Sequence, residues 1–242
     1  MKSVWKPVSL CAAVIAIAVG VLLTGCGSGG SSKIRYLNLS PNLSSSQVLV
    51  DGKSVVSSLG FGVATNYSSI SSGTRHIQFE PLGTTQNVVD QMVSIPSGTN
   101  NTYVAQGFVT ANQVMSCGLA MTAAPQCFLY QDNQTAPSNT GNCQLRVINA
   151  AASLGNRDIY VVPNGTDINT VSPTLANAPI GTATSYLSLA AGSYAIYFAQ
   201  PGFKTGYVSS GAFTLTANTN RTIFGYTSPF GFFTTLTLAD FN

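Results

Sequence analysis

The chain has 242 residues, only 7% of them charged, and a formal net charge of +3. That is far below the roughly 25% charge of an average soluble protein, and without a basic cluster it argues against nucleic acid as a partner. Hydrophobic residues make up 45% of the chain and alternate with Ser, Thr, Asn and Gly, which favours a packed core of strands over disorder.

Lys2 and Lys6 form a short basic segment, residues 8–22 are almost uninterruptedly apolar, and Leu23-Thr24-Gly25-Cys26 ends the run. This is the layout of a secretory signal peptide over residues 1–25. The cysteine at the cleavage point resembles a bacterial lipobox, in which Cys26 takes lipid on its thiol and becomes the first mature residue. The competing reading is a retained membrane-spanning helix, which needs about 18–20 apolar residues. The apolar run is shorter than that, and a Gly- and Ser-rich stretch follows it without a basic stop-transfer flank. Residues 26–32 then read as a flexible tether. Several acyl chains on Cys26 give stable rather than marginal membrane attachment. Gly27 in place of Asp fits outer-membrane sorting in a Gram-negative cell. Loss of Lys2 and Lys6 with the leader leaves a charge of about +1.

From there the pattern is one of short strands. Residues 33–39 and 47–50 alternate, the second run closing on Asp51-Gly52. Residues 65–70 and 74–79 are expected to form a hairpin around Gly73, and 88–95, 102–109 and 128–130 follow. The plan then recurs. Ile34-Arg35-Tyr36-Leu37-Asn38 returns as Leu145-Arg146-Val147-Ile148-Asn149, 111 residues on, and Val48-Leu49-Val50 returns as Ile159-Tyr160-Val161 at the same offset. Phe61-Gly62-Val63-Ala64-Thr65-Asn66-Tyr67 returns as Ile180-Gly181-Thr182-Ala183-Thr184-Ser185-Tyr186, now 119 residues on, so the second copy carries a small insertion within 164–175. Gly73 matches Gly192, and Asn100-Asn101-Thr102-Tyr103 matches Asn220-Arg221-Thr222-Ile223; the last strand is expected over 232–238. A period of this length is one domain. The expected organisation is two tandem antiparallel β-sandwiches, residues 33–133 and 143–242, joined by a linker at 134–142. Gly73 and Gly192 are expected at positive φ, and Tyr67 and Tyr186 as buried rings bonding through their hydroxyls.

The pattern LRVINA…DIYV…GTATSYLSLAAGSYAIYF in residues 145–198 resembles the bacterial domain family DUF4397, and residues 34–79 match more loosely. The resemblance implies immunoglobulin-like sandwiches on exported proteins and assigns no activity. It departs where Ala150-Ala151-Ala152-Ser153 replaces the usual Ser-Pro.

Five cysteines are present. Cys11 leaves with the leader and Cys26 is the lipidation site. Cys117, Cys127 and Cys143 remain in an oxidising compartment, enough for one internal disulfide. The favoured pair is Cys117 with Cys127, stapling the loop between the last two strands of the first copy, for about 2–3 kcal/mol. The rival is Cys127 with Cys143, across the domain junction. Cys143 is otherwise a buried free thiol or an intermolecular link. One histidine and no CxxC spacing leave no metal site, and no cofactor motif occurs.

His76 sits alone in a strand, no GxSxG elbow is present, and the carboxylates are scattered. Two of them can still meet in space. Asp132 and Asp240 follow the last strands of the two copies, which suggests turn or cap roles. Residues 164–169 offer oxygen ligands but too few carboxylates for calcium. The one site-like feature is aromatic: Phe230, Phe232 and Phe233 lie between the last two strands of the second copy. At a loop tip Phe230 and Phe232 are exposed to a partner or glycan; otherwise they pack against the sandwich. The lipobox-like leader and the composition together point to a lipid-anchored envelope protein with a structural, adhesive or binding role and no catalytic residues. The membrane is reached through Cys26, with envelope protein or glycan as a further partner. A carbohydrate-binding module stacking sugars on the aromatic loop is the alternative, and a hydrolase with a dispersed site ranks third.

Overall fold

The computed structural model describes residues 30–109 and 126–241. Cys26, the leader and Cys117 lie outside the described residues. Sixteen strands occur among those described, and none of the helices there is long and apolar enough to cross a membrane.

The first copy comprises β1 (Ser31–Leu39), β2 (Ser45–Val50), β3 (Lys53–Gly60), β4 (Ser68–Ser71), β5 (Gly73–Pro81), β6 (Val89–Ile95), β7 (Asn100–Gln106) and β8 (Gln126–Asp132). They form two four-stranded sheets, β4-β1-β7-β8 and β3-β2-β5-β6. The second copy comprises β9 (Asn142–Ala150), β10 (Arg157–Pro163), β11 (Leu175–Ala178), β12 (Leu187–Ala190), β13 (Gly192–Ala199), β14 (Val208–Leu215), β15 (Asn220–Thr227) and β16 (Phe233–Phe241). Its sheets are β12-β9-β15-β16 and β11-β10-β13-β14. The two-sandwich expectation holds. Each sandwich has one mixed sheet, because β1 runs parallel to β7 and β9 parallel to β15.

The hairpin expected around Gly73 does not form. β4 pairs with β1 in one sheet, whereas β5 pairs with β2 and β6 in the other. Gly73, at φ +92°, turns the chain at the corner between the two sheets. Gly192 opens β13 at the equivalent corner without a positive φ, so that half of the glycine expectation fails.

Alternation along the strands explains the layers. In β1, Ile34 and Tyr36 enter the first core beside Phe79, Ile77 and Tyr103. In β9, Leu145 and Val147 enter the second core with Phe198 and Ile223. The opposite faces of β1 and β9 are also apolar. Leu37, Leu39, Val104 and Tyr130 of the first copy join Ile148, Ala150, Phe224 and Leu238 of the second in one buried cluster. The two mixed sheets thus pack on each other, and the strands at their centres are buried on both faces.

The repeated Ala-Thr-x-Tyr segment has a direct structural use. Ala64 and Ala183 bridge to Leu37 and Ile148. The Thr65 and Thr184 hydroxyls each accept, at 3.0 Å, from the backbone N–H groups of Tyr36 and Val147. The repeated asparagines anchor the loops that follow: Asn38 Nδ2 donates to the Leu43 carbonyl at 2.8 Å and Asn149 Nδ2 to the Ala178 carbonyl at 2.9 Å.

Candidate functional site

The packed sheets carry a reciprocal ionic cluster. Arg35, on β1, donates from Nη2 to Asp240 Oδ1 at 2.5 Å, from Nη1 to the Ala239 carbonyl at 2.8 Å and from Nε to Thr102 at 2.7 Å. Arg146, on β9, repeats this toward the first copy. Its Nη2 donates to Asp132 Oδ1 at 2.5 Å, its Nη1 to the Gln131 carbonyl at 2.8 Å and its Nε to Thr222 at 3.1 Å. The second oxygen of each carboxylate is held within its own copy. Thr102 and Tyr67 donate to Asp132 Oδ2, each at 2.6 Å. Thr222 and Tyr186 donate to Asp240 Oδ2 at 2.5 and 2.8 Å. The guanidiniums of Arg35 and Arg146 lie 4.6 and 4.8 Å from the ring centres of Tyr67 and Tyr186.

The charges cancel, and each is bonded on every side, which is what makes such burial tolerable. Burial, and then the nearby Asp132 charge, push the Asp240 carboxyl above its ordinary range, while Thr222 and the arginines pull it back. Burial also raises the Tyr67 and Tyr186 phenols. The turn or cap role expected for Asp132 and Asp240 is therefore corrected. Both end their strands as interdomain ion-pair partners with side chains fully buried. Two carboxylates do meet in space, yet neither faces solvent, and both are held by arginine rather than poised for proton transfer. Tyr67 and Tyr186 bond through their hydroxyls as expected, but their rings cover the arginines between the copies.

The other candidate residues separate. His76 is partly exposed and pairs with Asp90 on the sheet surface. Asp167 caps a one-turn helix, accepting from the backbone of Asn169 at 2.9 Å. Cys127 is buried in the first core. Cys143 is a buried free thiol in the second, which removes the Cys127–Cys143 alternative. Its burial raises the thiol pKa.

Phe230 and Phe232 are 84% and 73% exposed, whereas Phe233 is partly buried with its ring 5.0 Å from that of Phe198. The turn that presents them is closed. Ser228 N donates to the Phe232 carbonyl at 2.7 Å, Gly231 N to the Ser228 carbonyl at 2.9 Å, and Phe232 N to Ser228 Oγ at 3.1 Å. Two aromatics not singled out in the sequence share this end of the second copy. Phe203 and Tyr207, 61% and 45% exposed, lie in the loop from β13 to β14. That loop leaves Ala199, which pairs with Asp158 at the start of β10. Short polar neighbours in 200–207 hid the pair, since no periodicity marks a loop residue as outward-facing.

This end is opposite the entry of β1. The starts of the two parallel pairs meet where Arg35 reaches Asp240 and Asn220 bonds the Asn133 carbonyl at 2.9 Å. The other ends meet where Phe61 lies 5.7 Å from Tyr226. The phenylalanine turn follows β15, so it stands about 25 Å from Ser31 at roughly 3.3 Å of rise per residue.

No curated protein matches the chain. Among solved structures, the Bacillus anthracis TIE protein is 10% identical, with 82% of this chain and 34% of that one covered and a TM-score of 0.25. This chain thus spans about a third of that protein's length. A family CBM26 module, CBMbc from Eubacterium rectale Amy13K solved with maltoheptaose, is 9% identical over 86% of this chain and 96% of that one, with a TM-score of 0.26. A leucine-rich repeat protein from Bacteroides thetaiotaomicron VPI-5482 is 14% identical over 81% and 25%, with a TM-score of 0.18. These likenesses are slight. The family model described as "Domain of unknown function (DUF4397)" matches residues 32–160, from β1 into β10. Covering more than half of the chain, that match places this protein in the DUF4397 family.

Proposed function

We propose that the chain is a lipid-anchored envelope protein whose role is non-catalytic binding. In this reading Cys26 holds it to the membrane, and the pole farthest from β1 meets an envelope partner. The observation that carries the reading is the closed 228–232 turn, which holds two phenylalanines in solvent instead of letting them pack. Phe203 and Tyr207 widen the apolar surface at that pole. Clustered exposed aromatics of this kind mark interaction sites. Asp132 and Asp240, the carboxylates that meet between the copies, are neutralised by arginine and buried, which supports binding over hydrolysis at that site.

The test has two parts. Membrane fractionation should find the wild type with membranes and Cys26→Ser in the soluble fraction. Purified protein should co-sediment with isolated envelope fragments, and Phe230→Ser/Phe232→Ser should abolish this without lowering the melting temperature. Retention of Cys26→Ser in the membrane overturns the anchor. Undiminished co-sedimentation of the double variant overturns the binding pole.

A further inference from the structure

At the opposite pole, where β1 and β9 begin, an open groove of about 550 Å³ lies between the copies. One wall is the turn from β6 to β7 with Asn100, another is the chain leaving β8 from Gln131 to Thr135, and Tyr186 of the second copy closes it. We propose that this groove binds a short neutral oligosaccharide. The proposal extends the binding role argued above but does not depend on the phenylalanine turn.

Three observations carry it. The first is rigidity. Asn220 Nδ2 donates to the carbonyls of Asn133 and Thr135 at 2.9 and 2.8 Å, and Gln134 Nε2 donates to the Asp240 carbonyl at 2.5 Å. Asn133 N donates to the Tyr186 hydroxyl at 3.1 Å. The segment leaving β8 is therefore fixed before any ligand arrives, which lowers the ordering cost of binding.

The second is unused hydrogen-bonding capacity. Asn100 is the register partner of Asp132 and Gln131 that of Asn101, so the Asn100 side chain shares the Asp132 face of the sheet and Gln131 lines the groove from the other face. Asn100 is half-buried, Gln131 is exposed, and neither amide side chain has an intramolecular hydrogen bond among the described residues. Each offers a donor and an acceptor side by side, the pairing that adjacent sugar hydroxyls require.

The third is charge. The lining holds a single carboxylate, Asp132, which is buried against Arg146. Neither Lys nor Arg is among the lining residues, so the groove has no attraction for an anion. Its volume lies within the ~300–1,000 Å³ usual for ligand sites.

The experiment is calorimetric titration of the detergent-solubilised full chain with cellotetraose, chitotetraose and maltotetraose, and with an oligogalacturonate as the anionic probe. At least one neutral probe should bind saturably. Asn100→Ala/Gln131→Ala should weaken it by about tenfold, as loss of a bidentate amide contact requires, at an unchanged melting temperature. Phe230→Ser/Phe232→Ser should leave the affinity unchanged, which separates failure here from failure of the aromatic pole. The proposal is overturned if no neutral probe binds at about 10 mM, above the range of weak specific sites. Binding of the galacturonate alone overturns it too, as does full affinity in the Asn100/Gln131 variant.

Discussion

Truncating one arginine of the interdomain cluster is the sharpest test of how the two copies are held. Arg35→Ala removes three hydrogen bonds at 2.5–2.8 Å and leaves Asp240 charged and buried with only Thr222 and Tyr186 as donors. Bonds to charged groups contribute about 1.5–3 kcal/mol each when lost without replacement. Removing one member of a buried pair typically costs about 3–5 kcal/mol overall. Arg146→Ala removes the equivalent bonds, but Asp132 keeps Arg35 at 3.6 Å and borders the open groove, from which water can enter the space left behind. We therefore expect Arg35→Ala near the upper end, about 4–5 kcal/mol, and Arg146→Ala near 3 kcal/mol. Urea unfolding measures both, and the losses should persist in 0.5 M salt, about the regime where exposed pairs are screened. Losses under about 1 kcal/mol for both variants, in the range of surface pairs, would refute the argument.

Gly181 is at φ +81°, and a Cβ there would stand 2.0 Å from the Phe128 ring of the first copy. Gly181→Ala should therefore cost about 2–4 kcal/mol by overpacking and strain, whereas Gly52→Ala, at φ +76° in open space, should cost only about 1 kcal/mol from the backbone alone; thermal melts that rank them otherwise count against the interface packing. Non-reducing peptide mass spectrometry should find Cys117 linked to Cys127, and Cys127→Ser should lose about 2–3 kcal/mol; alkylation of both thiols in the native protein would disprove the link. The Asp51 carboxyl is held below its ordinary range, chiefly by the His76 backbone N–H, with burial opposing and the Arg75 guanidinium adding to the lowering. A depressed folded-state pKa gives a contribution to stability that is complete above the unfolded value and is lost as pH falls through the folded one. Carboxyl-carbon NMR should show Asp51 titrating below about 3.9, the ordinary value, and Asp51→Asn should flatten the acid-side loss of stability.

The two-copy plan was legible because whole strings recur in order, and strand alternation placed Ile34, Tyr36, Leu145 and Val147 in their cores. The pairing scheme was less so. Residues 65–79 look like a hairpin locally, and only the demand of Ile77 and Phe79 for the sandwich interior sends β5 to the other sheet. The interdomain contact also leaves a signal in the sequence. Strands β1 and β9 are apolar on both faces, which a sandwich open to water on its outside does not need. Arg35 and Arg146 recur at the same place in those strands, as Asp132 and Asp240 do in theirs. Read one copy at a time, each carboxylate looks like a turn residue, because its partner lies in the other copy. The groove was invisible for a related reason: its walls come from a turn, a linker and the start of a strand that share no sequence pattern.

The reciprocal cluster also changes what each copy's sequence must satisfy. A linker of nine residues, 133–141, keeps the two faces within about 15–18 Å of each other, an effective concentration in the millimolar range. Dilution cannot open such a contact, so neither face needs the affinity of a free dimer. Divergence, however, is constrained crosswise. Arg35 answers to Asp240 and Arg146 to Asp132, so the compensating change for a substitution in one copy lies in the other. Exchanging one copy for a duplicate of its neighbour would keep the charges in place but would have to rebuild the apolar layer, where Val104 and Tyr130 of the first copy share a cluster with Phe224 and Leu238 of the second and the Tyr130 and Phe224 rings stand 6.0 Å apart.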